Sequence, residues 1–193
     1  MAHKIVITDG IVLGKRGVGE AHTSASLLTR EVGLVYARAT SARRIESKLR
    51  YGLEPLTRGR YSLVCGRSEW KVVGVEGTHR DILKANAEAR AAAGRAGRLL
   101  LRLVAGEESS PELFDAAAEG FALLAAARER IEIENIECML VLRLLWRLGY
   151  VANVAPVEQF LAGALTSRLV HEASPLRPAL IRAINESLAA TGL

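Results

Sequence analysis

Apolar and polar positions alternate with two different periods along this chain, and the period changes once. Residues 4–13, KIVITDGIVL, are β-branched and almost unbroken, which predicts a buried strand. Gly10 inside it marks an expected bulge or bend, as a long first strand needs when it passes from one side of a small barrel to the other. Gly14, Gly17 and Gly19 then predict a flexible turn that carries Lys15 and Arg16. Residues 22–29 predict a second strand, closed by a tight turn at Arg30, Glu31 and Gly33. Residues 34–40 alternate, with Leu34, Tyr36, Arg38 and Thr40 on one face and Val35, Ala37 and Ala39 on the other. Small apolar residues suit the inside of a narrow barrel, so Arg38 is expected to face out. Residues 41–51 break the pattern and predict a basic loop or short helix. Residues 53–57 with 60–65, and then 69–76, supply the remaining strands.

From Asp81 the period is helical. Residues 81–105 predict one long helix, in which Gly94 and Gly97 are expected to admit another helix at close range. Ser110, Pro111 and Glu112 form the start of a helix running to about Arg130. Residues 133–148 are apolar nearly all round, as befits the centre of a bundle, and Gly149 stops them. Pro156 is expected to open a helix to about His171, and Ser174-Pro175 to open a last one that Gly192 ends. The expected fold class is α+β in two domains: a five-stranded OB-fold barrel over residues 1–78, then an all-α helical bundle over residues 79–193.

Charge sharpens this picture. Residues 1–80 hold 14 Lys/Arg against 7 Asp/Glu, whereas residues 81–193 hold 12 against 14. A basic barrel beside a near-neutral bundle points to an anionic partner for the barrel. The candidate nucleic-acid-binding set is Lys15, Arg16, Arg30, Arg38, Arg43, Arg44, Lys48 and Arg50. Such cations give affinity through counterion release, with little sequence choice. Single-strand binders also need aromatic platforms. Tyr36, Tyr51, Tyr61 and Trp70 are the candidates in this half. Trp70 is assigned to the core, and Tyr36 is preferred because it shares a strand face with Arg38.

Catalytic and metal chemistry find little support. The run from Gly14 to Gly19, GKRGVG, lacks the Gly-Lys-Ser/Thr ending and helix start of a phosphate loop. His3, His22, His79 and His171 are scattered, and no acid or cysteine spacing joins them into a zinc site. No nucleophile elbow or paired base is present. Glu132, Glu134 and Glu137 fit a solvated helix start. Neither an enzyme nor a cofactor is expected. Cys65 and Cys138 lie far apart in apolar runs and are expected to be buried free thiols. Met1-Ala2-His3-Lys4 leads straight into a strand pattern, and no apolar run approaches a membrane span, so a soluble cytoplasmic protein with no membrane contact is expected.

The ordered elements resemble the RecO family of bacterial recombination mediators. The likeness rests on Asp9-Gly10-Ile11-Val12-Leu13, a turn ending Gly19-Glu20, the stretch from Leu27 to Gly33, Ala42-Arg43-Arg44, Ser47-Lys48, Glu54-Pro55-Leu56 and Gly59-Arg60. A helix from Glu137 to Gly149-Tyr150 that carries Leu144-Leu145 completes it. The likeness covers residues 4–155. It departs from the family where many members carry paired zinc-binding cysteines after the Gly-Tyr, for residues 151–158 contain none.

The resemblance implies a non-catalytic DNA-repair protein that binds single- and double-stranded DNA and promotes strand annealing. It implies a RecR-type partner, contact with the C-terminal tail of single-strand-binding protein, and help in loading a RecA-type recombinase. Arg143 and Arg147, one turn apart on the central helix, are the candidate cations for that acidic tail, against the alternative that both pair with helical acids. Two other readings stay open at this point: a protein-interaction adaptor whose barrel is structural, and an RNA-binding OB-fold protein.

Overall fold

A computed structural model describes residues 5–18, 20, 22–40, 47, 49–66, 69–151 and 157–190. Five strands, β1 (Ile5–Val18), β2 (His22–Thr29), β3 (Gly33–Ala39), β4 (Arg58–Cys65) and β5 (Trp70–His79), close into a barrel in the order β1-β2-β3-β5-β4. All ladders are antiparallel except β3 with β5, which closes the barrel in parallel through Ala37↔Trp70 and Arg38↔Lys71. A short helix, α1 (Leu49–Gly52), lies between β3 and β4. This is the expected OB-fold barrel, followed by α2 (Asp81–Lys84), α3 (Ala87–Leu103), α4 (Pro111–Ala126), α5 (Arg130–Arg147), a 3₁₀ turn at Glu158–Phe160, and α6 (Ser167–Ala190).

The inside of the barrel is filled by Val12, Ala25, Leu27, Val35, Ala37, Ala39, Leu53, Tyr61, Leu63 and Val72. The alanines leave room for Tyr61, which is fully buried and whose hydroxyl donates to the Gly52 carbonyl at 2.7 Å. That burial raises the phenol pKa. Gly10 serves the same ring. It is paired in both ladders, and a Cβ there would stand 2.8 Å from Tyr61 Cδ2. The expected bulge lies instead between Val12 and Gly14.

Every second residue of β1 faces the other way. Ile11 and Leu13, with Leu28 and Leu34, join the helices in one continuous core. This two-sided cover explains why β1 is nearly all apolar in its middle.

Four expectations are corrected. The turn placed at Gly14 and Gly17 is strand: β1 continues to Val18 and pairs Lys15 with Ala25 and Arg16 with Ser24. Residues 53–57 are not strand. The long helix from Asp81 is broken, because Asn86 leaves helical geometry and its side chain accepts from the Ala89 N–H, starting α3 anew. Gly97 admits no second helix. It faces Leu56 and Leu13 on the barrel side, and it is Gly120 of α4 that admits the neighbouring helix, since a Cβ there would stand 2.5 Å from Leu140 of α5.

The carboxyl-terminal helices are also corrected. No helix runs from 157 to 166 beyond the 3₁₀ turn, and α6 passes unbroken through Pro175 and Pro178. Both prolines lie on the exposed side of α6, where a carbonyl left without its N–H partner can meet water, while Val170, Ala173, Leu180 and Ile184 anchor the opposite side. Helix α5 is central as expected, packed against α3, α4 and α6. Gly19, Pro156 and Gly192 lie outside the described residues.

The two thiols differ. Cys65 is exposed, not buried as expected, whereas Cys138 is buried and its pKa is pushed up to about 11 by desolvation. A thiol-specific reagent at pH 8 is therefore expected to titrate one cysteine in the native protein and two after unfolding. Equal reaction rates at both would contradict the packing of α5.

Candidate nucleic-acid interface

The cross-strand register brings charged residues from three strands into one row that crosses four. Arg16 of β1 pairs with Ser24 of β2, Ser24 with Arg38 of β3, and Arg38 with Lys71 of β5. Residues directly opposite one another in a ladder project from the same face of the sheet. Their neighbours Ala25, Ala37 and Val72 fill the interior, so this row lies on the outside. At about 4.8 Å per strand, Arg16 and Arg38 are held about 10 Å apart, with Lys71 one strand further.

The next row runs Gly14, Ser26 and Tyr36. Tyr36 is 58% exposed, on the same face as Arg38. The row is nearly free of competing acid. Arg38 meets Glu69 only at 3.8 Å, both about 40% exposed, a pairing that water screens and a phosphate can displace. Trp70 turns the other way: it is half-buried against the barrel core, and its indole N–H donates to Glu107 at 2.7 Å.

The remaining candidates are dispersed. Strand alternation puts Lys15 on the opposite face from Arg16, and it pairs with Glu54 at 2.7 Å. Arg30 forms a bidentate pair with Asp115 of α4, 3.0 Å in each arm, which raises its pKa further and ties the β2–β3 turn to the helices. Ser109 donates to the Arg30 carbonyl in the same corner. Arg50 is exposed on α1, away from the row, beside Tyr51. Arg43, Arg44 and Lys48 lie outside the described residues.

Arg143 is not a surface cation, which corrects its role toward an acidic tail; the alternative holds as to partner, for it meets the helical acid Glu119 of α4, but in the interior and not at the surface. It is 3% exposed and donates to the carbonyls of Phe160, Ala162 and Gly163, with Glu119 at 3.4 Å. Burial lowers its pKa, and Glu119 opposes that. Arg147 is exposed and stacks over Trp146, 4.3 Å from the ring centre. The groove beside them is also lined by Glu112, Asp115 and Glu119. Three carboxylates there disfavour an acidic peptide.

Lys71 is the member that sequence reasoning missed. Its signal in the sequence is the alternation of Glu69 and Lys71 with Trp70 and Val72. Its alignment with Arg38 depends on a parallel pairing between strands more than 30 residues apart. A cleft of about 620 Å³ between the barrel and α4 does not continue the basic face, because Asp9, Glu76, Asp115 and Glu119 offset Arg30, Arg58 and Arg60. Among the described residues no group of three or more His, Cys, Asp or Glu could hold a metal ion, and no helix is long and apolar enough to cross a membrane.

Comparison with known proteins agrees with the barrel. Residues 1–72 match the family described as Recombination protein O N terminal. Over 148 residues the chain is 32% identical to the DNA repair protein RecO of Heliobacterium modesticaldum, an alignment that covers 74% of this chain and 50% of that protein. The chain thus spans about half the length of the curated relative it matches.

Proposed function

The chain belongs to the RecO family, and from that we propose that it is a non-catalytic DNA-binding protein of repair and recombination, which holds single-stranded DNA on the outer β1-β2-β3-β5 face of its barrel. The observation that carries this reading is the in-register row of Arg16, Arg38 and Lys71 with Tyr36 beside it. The cations take the phosphodiester backbone. The exposed ring takes a base, which any base satisfies because every base has a π-face. With one such ring on this face, affinity is dominated by the backbone and sequence preference is weak. Lys15 and Arg30, engaged with Glu54 and Asp115, are secondary contacts in this reading.

The wider role follows the family. Double-strand binding, annealing, a RecR-type partner and recombinase loading on DNA coated with single-strand-binding protein are proposals of that kind. The tail of single-strand-binding protein is not assigned to the groove beside Arg143 and Arg147, given its carboxylates.

Fluorescence anisotropy with single-stranded oligonucleotides across a salt series tests the central claim. Binding should weaken steeply with salt, and Tyr36→Ala should weaken it about tenfold at every salt concentration, since stacking is not a counterion effect. Affinity independent of salt would overturn the reading. Competition with an RNA strand of matched sequence distinguishes a DNA binder from a general single-strand binder.

A further inference from the structure

A second aromatic–arginine cluster lies on the same barrel, away from the row just described. Tyr51 of α1 is 59% exposed. The guanidinium of Arg80 lies 5.4 Å from its ring centre and that of Arg50 lies 6.0 Å away. Each cation–π contact is favourable. Gathering two cations around one ring, however, costs repulsion that an anion would relieve.

Neither guanidinium has a carboxylate within ion-pair distance among the described residues. Among the described residues, eight other arginines, Arg30, Arg38 and Arg60 among them, are paired, whereas Arg50 and Arg80 share the unpaired state of Arg16, Arg58 and Arg147; what distinguishes them is that both lie around one exposed ring. Arg80 Nε is buried and has no hydrogen-bond partner. A hollow of about 420 Å³ opens beside it, lined by Thr78, His79, Arg80, Asp81, Leu83 and Lys84, with a single acid among them.

Position separates this cluster from the first face. Gly52 sets α1 against Val75 of β5, where a Cβ would stand 2.5 Å from Val75 Cγ1, and Arg80 follows the end of β5. Lys71 is at the other end of that strand. Nine residues at about 3.3 Å each place the two about 25–30 Å apart, allowing for the register shift in β5.

We propose that Arg50, Tyr51 and Arg80 form a second, separate site for a single nucleic-acid strand, so that one chain holds two strands at once. The guanidiniums take phosphate, and a base extends the stack on Tyr51 or on a guanidinium plane, as single-strand binders do. This rests on the proposed function, whose own site is the Arg16–Arg38–Lys71 row.

The test is the stoichiometry of the 193-residue chain with a labelled single-stranded oligonucleotide of about six nucleotides, short enough to occupy one site. Two oligonucleotides per wild-type chain are expected. Arg50→Ala with Tyr51→Ala should leave one, bound with the wild-type affinity of the first face, and the lost site should be at least about tenfold weaker. Tyr51→Phe, which keeps the ring, should retain two. A thermal melt checks folding, and Arg50→Ala alone, at an exposed position, replaces the double variant if that variant unfolds.

One oligonucleotide per wild-type chain, or two on the Arg50/Tyr51 variant, overturns the second site while leaving the first face standing. No binding at all by the wild-type chain at low salt overturns the proposed function, and this inference with it.

Discussion

Replacing Arg16, Arg38 and Lys71 together with alanine is expected to flatten the salt dependence of single-strand binding by about two units of slope, because each cation on a single strand contributes ~0.7. At 0.1 M salt that is about a hundredfold loss of affinity, and the loss should vanish as the salt approaches 1 M. The reasoning is geometric. The three residues come from strands β1, β3 and β5, and the barrel register fixes them in one row on one outer face. Arg16 and Lys71 are exposed and Arg38 is half-buried with only the loose Glu69 contact, so their removal should change stability little. Lys15→Ala is the internal control. It lies next to Arg16 in the chain but points to the opposite face and is bound to Glu54, so it should reduce the slope far less. A triple variant with an unchanged slope would remove this face from the mechanism.

Arg143→Met should act on stability instead. Its fork donates to three carbonyls between residues 160 and 163 and meets Glu119, which in turn accepts from the Leu165 N–H at 2.9 Å. Methionine fills much of the volume and leaves the buried Phe160 carbonyl and the part-buried Ala162, Gly163 and Glu119 acceptors without their donor. Unmade bonds of this kind cost about 1–3 kcal/mol each, and broken buried ion networks cost about 3–5 kcal/mol in total. For a chain of this size that lowers the melting midpoint by about 10 °C. Arg143→Lys should recover only part of it, because one ammonium cannot reproduce a fork aimed at separate carbonyls. The folded fraction should bind oligonucleotides with the wild-type salt slope. A midpoint equal to wild type would mean that α5 and the segment after it are held together by other means.

How much of this was legible in the chain depended on the range of the interaction. The strands were found because their signals are local: β-branched runs, alternation in residues 34–40, and turn residues at Arg30, Glu31 and Gly33. The start of α4 was legible for the same reason, since Ser110 accepts from the Leu113 N–H and Pro111 begins the first turn. Three glycines within six residues looked like a turn at 14–19, yet β1 runs on to Val18 because β2 supplies a ladder partner for each residue from Gly14 to Val18. Pro175 looked like a helix start, but burial of Ala173 and Leu180 against the bundle carries α6 past it. Local propensity lost in both places to partners that are remote in sequence.

The candidate site divides along the same line. That this half of the chain carries excess positive charge, and that Arg38 and Tyr36 share a face, follows from composition and a period of two. Which cations act together does not. Arg30 reads as a free cation and Arg143 as a surface one, and each proved to be occupied by groups 17 or more residues away. Lys71 read as unremarkable, and the parallel closure of β3 on β5 sets it beside Arg38.

The sequence by itself determined the barrel-then-helices order, the apolar inside of β3 and the sign of the barrel's charge, because these depend on neighbours one to four residues apart. Only the tertiary structure decided which arginines are spent on carboxylates and carbonyls and which remain for a polyanion. That choice depends on where the chain returns to itself: a side chain's partners are set by distance in space, and a linear pattern carries no measure of it.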